Sequence, residues 1–285
     1  MKEENMGALT AQGVLCHSIL GKEIPYYTLG WGKRTVLYVG GVRGGDYLLS
    51  LVLMEFIASV EALYARDGTI FERPVRELLS SRCLLVVPSL NPDGAEYVCK
   101  GLLPDNPLAS RVEAIRGDTP LSLWQANARG VALDKNFGTG HSMAMAAAWD
   151  KGVLGSHPTH WCGEYPESEP ESAALARLAR GLGENLIGAL ELSLGENEIL
   201  CSCAEKLSAK TSAAGRILAR ATGLSLCTPS ETPPTGGFFD WCLDELSRPA
   251  YRVCVGPPAT ENEAKAAAIL YERLARALFT FPFMV

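Results

Sequence analysis

The chain has 285 residues, of which 47% are hydrophobic and 20% charged, and its formal net charge is -6 at pH 7. This composition allows a full buried core in one large domain or two small ones, excludes intrinsic disorder, and argues against a general nucleic-acid-binding protein. Nine cysteines and only four histidines favour a reducing compartment over a disulfide framework, and they leave few ligands for a histidine-rich metal site.

Short apolar runs alternate with amphipathic segments along the chain. In chain order, the pattern predicts a strand at 35–39, a helix at 48–64, a strand at 83–87, a helix beginning after Ser168, a strand at 186–192, a helix at 213–221, a strand at 251–255 and a last helix beginning near Thr260. Strands that alternate with helices in this way predict a mostly parallel sheet covered on both faces.

Two of the predicted helices carry start signals. Ser168 and Glu171 form a capping box, with Pro170 in the first turn. An apolar stripe then follows at helical spacing, made of Leu175, Leu178, Leu182 and Leu186. Thr260 and Glu263 predict the same kind of start for the last helix, whose inward face is formed by Ala267, Leu270, Leu274 and Leu278.

The sequence also predicts where the protein resides. The most apolar stretch, 47–64, is interrupted by Glu55 and Glu61, which makes it too charged to be expected to span a bilayer. The first residues carry charges and lack the apolar core of a signal peptide. We therefore expect a cytoplasmic protein that binds neither membranes nor nucleic acid.

Because ligands bind at the carboxyl ends of parallel strands, the loops after the four predicted strands are the candidate site. We expect loops 40–46, 88–94, 193–195 and 254–256 to converge at one edge of the sheet.

Four segments, in this order, resemble the zinc carboxypeptidase family, and in particular its compact bacterial branch that trims cell-wall peptides. They are Asn-Pro-Asp-Gly at 91–94, Asn-Ala-Arg-Gly-Val-Ala-Leu-Asp-Lys-Asn-Phe at 127–137, Gly-Glu-Tyr-Pro-Glu-Ser-Glu-Pro-Glu at 163–171, and Gly-Gly followed by Asp-Trp at 236–241. The resemblance implies a single α/β domain over residues 1–285, with a mixed, mostly parallel sheet of about eight strands and helices on both faces. Residues 1–20 would then be an N-terminal extension, such as an added strand or arm.

A catalytic zinc ion needs three protein ligands and an open position for water. The resemblance implies that the ligand positions are Arg43, Asp46 and Ser193. A guanidinium has no lone pair for a metal, and a serine hydroxyl is a poor zinc ligand, while Asp46 is one methylene shorter than the family's glutamate. We expect a salt bridge between Arg43 and Asp46 in place of the metal, and therefore no cofactor.

The other catalytic positions are also substituted. The resemblance puts Cys254 at the position of the general base and Gln125 at that of the oxyanion-stabilising arginine. The pair that holds the substrate's terminal carboxylate becomes Asp134 and Lys135, and Asp134 is expected to repel a carboxylate, which favours a cationic or neutral ligand. The prediction is an inactive homologue that keeps a cleft for a peptide-like or small-molecule ligand. The alternative is a working metallocarboxypeptidase or cell-wall-peptide amidase with unusual metal ligands, for which zinc would be the cofactor.

Other residues offer weaker alternatives, and for each of them an ordinary structural role is the favoured interpretation. His157 and His160, with Cys162 nearby, have the residue types of a soft metal site, as do Cys201 and Cys203. Cys254 would be a nucleophile only if a neighbouring group lowered its pKa. The remaining candidates are a new acidic patch at Glu196 and Glu198 and a partner-binding surface in the proline-containing loop 228–235.

Overall fold

The computed structural model describes residues 9–201, 209–227, 235–260 and 262–285. The strands in these ranges are β1 (Thr10–His17), β2 (Glu23–Leu29), β3 (Arg34–Val39), β4 (Thr69–Ile70), β5 (Arg73–Pro74), β6 (Arg82–Val87), β7 (Leu186–Leu194), β8 (Glu198–Leu200), β9 (Ser225–Leu226) and β10 (Ala250–Val255). The α-helices are α1 (Tyr47–Ala65), α2 (Val75–Ser81), α3 (Pro92–Lys100), α4 (Ala109–Arg116), α5 (His141–Asp150), α6 (Pro170–Leu182), α7 (Ala209–Thr222), α8 (Phe238–Asp244) and α9 (Glu263–Met284).

Eight of the strands form one mixed sheet in the order β1-β2-β6-β3-β7-β10-β8-β9. The central strands β6, β3, β7 and β10 run parallel to one another, whereas β1, β2 and β8 pair antiparallel with their inner neighbours. The predicted α/β fold with a mostly parallel sheet is therefore confirmed, and all four predicted strands are among its members. The short pair β4–β5 forms a separate two-stranded sheet.

The two faces of the sheet bury separate cores. Side chains alternate along each central strand, so Val36 and Tyr38 of β3 join the core beneath α1 and α9, whereas Leu37 and Val39 join the core beneath α6 and α8. The same alternation along β7 and β10 sends their polar residues to the α6–α8 face.

Helix α1, with the turn before it, is long and apolar enough to cross a membrane by length and composition, with a mean hydropathy of 1.8 in an 18-residue window of Gly44–Ala65. It is the one such helix among the residues described. Val52, Leu53, Phe56 and Val60 are fully buried in the first core, and α1 packs against α9. The face of α1 that carries these four side chains is therefore packed against protein, whereas Leu51 and Met54 on its other side are exposed.

The helix starts differ from the prediction in their capping residues. Helix α6 begins after Glu169, and the hydroxyl of Ser168 donates to the Glu169 carboxylate instead of capping the helix. The side-chain amide of Asn136 donates a hydrogen bond to the Ser168 hydroxyl, which is thereby engaged outside the helix terminus. Leu186, predicted on the stripe of this helix, instead begins β7.

The last helix is capped by Asn262 rather than by Thr260. The Asn262 side chain accepts a hydrogen bond from the backbone N–H of Lys265, at 2.9 Å. Thr260 instead accepts from the backbone N–H of Asn262 and so supports the cap from outside the helix.

Asn91 brings the site loops together. Its side-chain oxygen caps α3 by accepting from the backbone N–H of Gly94 at 2.9 Å, and its amide donates to the carbonyls of Val42, Gln125 and Ala126. One buried side chain thus links the loop after β3, the loop after β6 and residues 125–126.

Candidate functional site

The three positions that correspond to zinc ligands meet at the carboxyl edge of the sheet. Arg43 lies in the loop after β3, just before a single 3-10 turn that ends at Asp46, and Ser193 lies near the end of β7. Arg43 donates from Nε and Nη2 to the two carboxylate oxygens of Asp46, at 3.0 and 2.9 Å. The predicted salt bridge between Arg43 and Asp46 is present, and it has the bidentate geometry typical of strong arginine–carboxylate pairs.

The same carboxylate is held from the other side by β7. The Ser193 hydroxyl donates to Asp46 Oδ2 at 3.1 Å, and the backbone N–H of Leu194 donates to Oδ1 at 2.8 Å. Arg43 Nη2 also donates to the carbonyl oxygen of Leu194. Asp46 is 1% exposed and accepts four hydrogen bonds, so both of its oxygens are engaged by protein donors.

These residues do not fit a zinc ion. The Arg43 guanidinium carries only donors, and it occupies the carboxylate that would have to bind the metal. Burial alone would lower the pKa of Arg43, but the charge and hydrogen bonds of Asp46 outweigh burial and hold it above its ordinary value. The arginine is therefore a permanent cation at this edge of the sheet.

Cys254, at the position of the general base, lies in β10 directly opposite Ser193 of β7. Its side chain is 6% exposed, and burial raises the pKa of the thiol to about 12, although Arg252 and Arg43 act in the opposite direction. A thiol that stays protonated at neutral pH can neither accept the proton of an attacking water nor act as a nucleophile.

Gln125, at the oxyanion position, lies beside the same loop. Its carbonyl accepts from the backbone N–H of Gly44, and its own N–H donates to the carbonyl of Pro158. The side-chain oxygen is buried without a hydrogen-bond partner in the described part of the chain. A neutral amide there supplies a dipole but no positive charge for an oxyanion.

Asp134 and Lys135 lie in a short 3-10 turn and bind each other. Lys135 Nζ donates to the two carboxylate oxygens of Asp134 at 3.1 and 3.0 Å, and Arg252 Nη1 lies 4.0 Å from Oδ2. Burial would raise the pKa of Asp134, but Lys135, Arg252 and Arg43 together lower it to about 2.

This pairing alters the charge expected from Asp134. The carboxylate is 4% exposed and already compensated, whereas the side chain of Lys135 is 27% exposed. The more exposed member of this pair is therefore the cation, so the repulsion of a carboxylate ligand expected from Asp134 is reduced by its own partners.

Sequence reasoning did not select Arg252 and Glu191, which form the buried ion pair behind these residues. Arg252 Nε donates to Glu191 Oε1 at 2.8 Å, and the guanidinium lies 4.7 Å from the ring centre of Phe239. The sequence did carry a signal for both residues, since each is a charged residue in an otherwise apolar strand. Glu191 lies two positions before Ser193, and Arg252 two positions before Cys254, so each shares a face of the sheet with a site residue.

The weaker alternatives have mostly structural surroundings. The rings of His157 and His160 pack edge to face, and the Cys162 thiol lies against backbone carbonyls. No group of three or more His, Cys, Asp or Glu side chains able to hold a metal ion occurs in the part of the chain that is described. Glu198 belongs to β8 and accepts from the Cys227 thiol, while Cys203 and residues 228–234 lie outside the described residues.

Comparisons with known proteins agree with this fold. The sequence profile of the zinc carboxypeptidase family matches residues 6–219. A curated relative, gamma-D-glutamyl-L-diamino acid endopeptidase 1 of Lysinibacillus sphaericus, is 22% identical over 241 residues, which are 84% of this chain and 59% of the relative. The chain thus spans less than two thirds of that relative's length.

Two solved structures illustrate the range of similar folds. The murein-tripeptide amidase MpaA from Escherichia coli O157 has a TM-score of 0.57 and 21% identity, over 95% of this chain and 91% of that one. The carboxypeptidase A from Helicoverpa armigera has a TM-score of 0.70 and 14% identity, over 95% of this chain and 66% of that one. At these identities the likeness shows the fold.

Proposed function

This chain belongs to the zinc carboxypeptidase family, and from that premise we propose that it is a metal-free, non-hydrolytic member whose cleft binds a peptide-like ligand. One observation carries the proposal: the three ligand positions form a closed set of hydrogen bonds in which Arg43 pairs with Asp46, and Asp46 also accepts from Ser193. A metal would have to break this pair and replace a fixed cation.

Two further positions support the loss of hydrolysis. Hydrolysis of a peptide requires a base that takes a proton from water and a positive group that stabilises the oxyanion. Cys254 is a buried, protonated thiol and Gln125 a neutral amide, so neither function has a residue at its usual position.

The proposed ligand is a peptide of the cell-wall type that carries a carboxylate. The names of the relatives, a gamma-D-glutamyl-L-diamino acid endopeptidase and a murein-tripeptide amidase, support this class. Lys135 supports it as well, because its ammonium is partly exposed and has a third N–H that can donate to a carboxylate while the other two bind Asp134. The proposal includes a cytoplasmic location, which rests on the odd number of cysteines.

The test uses a synthetic gamma-D-glutamyl-diamino acid peptide. Binding is measured by calorimetry, and hydrolysis by mass spectrometry with and without added zinc. We expect saturable binding without hydrolysis, and about tenfold weaker binding or worse for Lys135→Ala, because a charge-assisted hydrogen bond is lost. The exposed Lys151→Ala is the control and should bind like wild type.

Two outcomes would contradict the proposal. Zinc-stimulated hydrolysis that disappears in Asp46→Asn would show a working metallopeptidase. An absence of peptide binding would exclude the proposed ligand class.

A further inference from the structure

Besides its ion pair with Asp46, Arg43 contacts the backbone of β7. Its Nη2 group bonds the carbonyl of Leu194, while its partner Asp46 accepts from the N–H of the same residue. The ion pair therefore satisfies both backbone polar groups of Leu194, where β7 reaches the cleft. These bonds fasten the loop after β3 to β7, two segments that lie about 150 positions apart in the chain.

We propose that Arg43 is a built-in replacement for the family's metal ion, a fixed cation that neutralises Asp46 and holds the cleft in its folded form without a metal. This inference rests on the proposed metal-free function, but it concerns the architecture of the site rather than its ligand.

Charge balance in the cleft supports the replacement. Three cations each pair with one carboxylate at this site. The pairs are Arg43 with Asp46, Lys135 with Asp134, and Arg252 with Glu191. Each carboxylate is at most 4% exposed. A buried group of charges is stable only when it is balanced and hydrogen-bonded, and in these three pairs each carboxylate has its own cation without a divalent ion.

The backbone still brings the three ligand positions together. The side chains of Arg43 and Ser193 both reach the Asp46 carboxylate, at distances of 2.9 to 3.1 Å. Histidines at positions 43 and 193 would therefore approach the same carboxylate from both sides. Two imidazoles and one carboxylate are a ligand set that zinc accepts, with one position left open. The double substitution Arg43→His with Ser193→His should create a metal site.

The first measurement is thermal unfolding in the presence of EDTA. Arg43→Met keeps an unbranched apolar stem as far as the position of Nε but leaves Asp46 buried without its cation, so the melting temperature should fall by roughly 5–10 °C. The melting temperature of Arg43→Lys should fall less, because lysine keeps the positive charge but loses the bidentate geometry. Arg76→Met is the matched control, since the Arg76 side chain is 47% exposed and its partner Asp67 is 73% exposed.

The second measurement adds zinc, and in a parallel sample cobalt(II), to wild type and to the double variant. Zinc should raise the melting temperature of the double variant alone, and cobalt should give it the visible absorption of a tetrahedral site. Adding Asp46→Ala to the double variant should abolish both effects. This measurement stays informative even if Arg43→Met does not fold.

Three results would overturn the role of Arg43. They are an Arg43→Met protein as stable as wild type, a wild-type protein stabilised by zinc, and a double variant that binds neither metal. Hydrolysis of peptides by the wild type in EDTA would instead overturn the proposed function and leave the role of Arg43 intact. The two failures are therefore distinguishable.

Discussion

At the scale of single residues, the protonation state of Cys254 decides whether the site has a reactive thiol. Its thiol is buried in β10 with its pKa raised to about 12, whereas Cys99 lies exposed on α3. We predict that iodoacetamide at pH 8 modifies Cys99 in the native protein long before Cys254, as followed by peptide mass mapping. Both should react after unfolding in urea. Preferential labelling of Cys254 in the native state would show an activated thiol and revive the nucleophile hypothesis.

Arg252 and Glu191 provide a second prediction at this scale. Removing one partner of a buried pair leaves an uncompensated charge, so Arg252→Met should lower the free energy of unfolding by about 3–5 kcal/mol. The double variant Arg252→Met with Glu191→Met should lose less unfolding free energy than Arg252→Met alone, because it leaves no unpaired buried charge. Both values are obtained from urea denaturation.

The control for the buried pair is Arg76→Met, which breaks an exposed pair with Asp67 and should change stability little. An equal loss at both sites would mean that burial of the Arg252–Glu191 pair carries no extra energetic weight.

The sequence allowed the pairing of Arg43 with Asp46 to be predicted, because the two residues lie three positions apart in one loop. The pairing of Arg252 with Glu191 and Asp134 could not be predicted from the sequence. Those partners lie 61 and 118 positions away along the chain. The register of β10 beside β7 brings Glu191 to Arg252, and the fold of the short 3-10 turn brings Asp134.

At the scale of elements, Asn91 and Asn262 cap helices in very different surroundings. Asn262 is exposed and makes a single capping bond, so Asn262→Ala should cost about 1 kcal/mol. Asn91 is fully buried and also donates to carbonyls of two other loops.

Asn91→Ala should therefore cost more than Asn262→Ala, by about 1–3 kcal/mol for each buried group left unpaired. The comparison uses urea denaturation of the two variants side by side. Equal costs would show that Asn91 acts as a helix cap alone and does not hold the site loops together.

The elements that could be predicted are those whose packing leaves a pattern in the sequence. The four central strands are short apolar runs, because both faces of the sheet are covered. Helix α4 was not predicted, since Val112 is its one buried residue and no stripe forms. The edge strand β1 was expected only as one option, an added strand or an arm within residues 1–20, because its residues are partly exposed throughout and show no clean alternation.

At the scale of the whole molecule, two buried carboxyls make stability depend on pH. Burial raises the pKa of Glu171, next to Glu169 and Asp93, to about 7, and burial raises that of Asp240 to about 7. Both values exceed those of the unfolded chain, so the folded protein holds protons that the unfolded chain has released. Their contribution to stability is full below about pH 4, and it is lost as pH rises towards 7.

The change Glu171→Gln should therefore flatten the decline in the free energy of unfolding between pH 5 and pH 7. The measurement is urea denaturation at several pH values, and the exposed Glu272→Gln is the control. A decline as steep as that of wild type would mean that Glu171 titrates in the folded protein as it does in the unfolded chain. Asp134, with its pKa lowered to about 2, should act in the opposite direction and lose its contribution below about pH 4.

The absence of a bound metal is the central claim, and elemental analysis of the purified protein after dialysis against zinc tests it most directly. The ion pair of Arg43 and Asp46 predicts no stoichiometric zinc in the wild type, and zinc in the double variant Arg43→His with Ser193→His. One zinc per wild-type chain that is lost in Asp46→Ala would contradict the account.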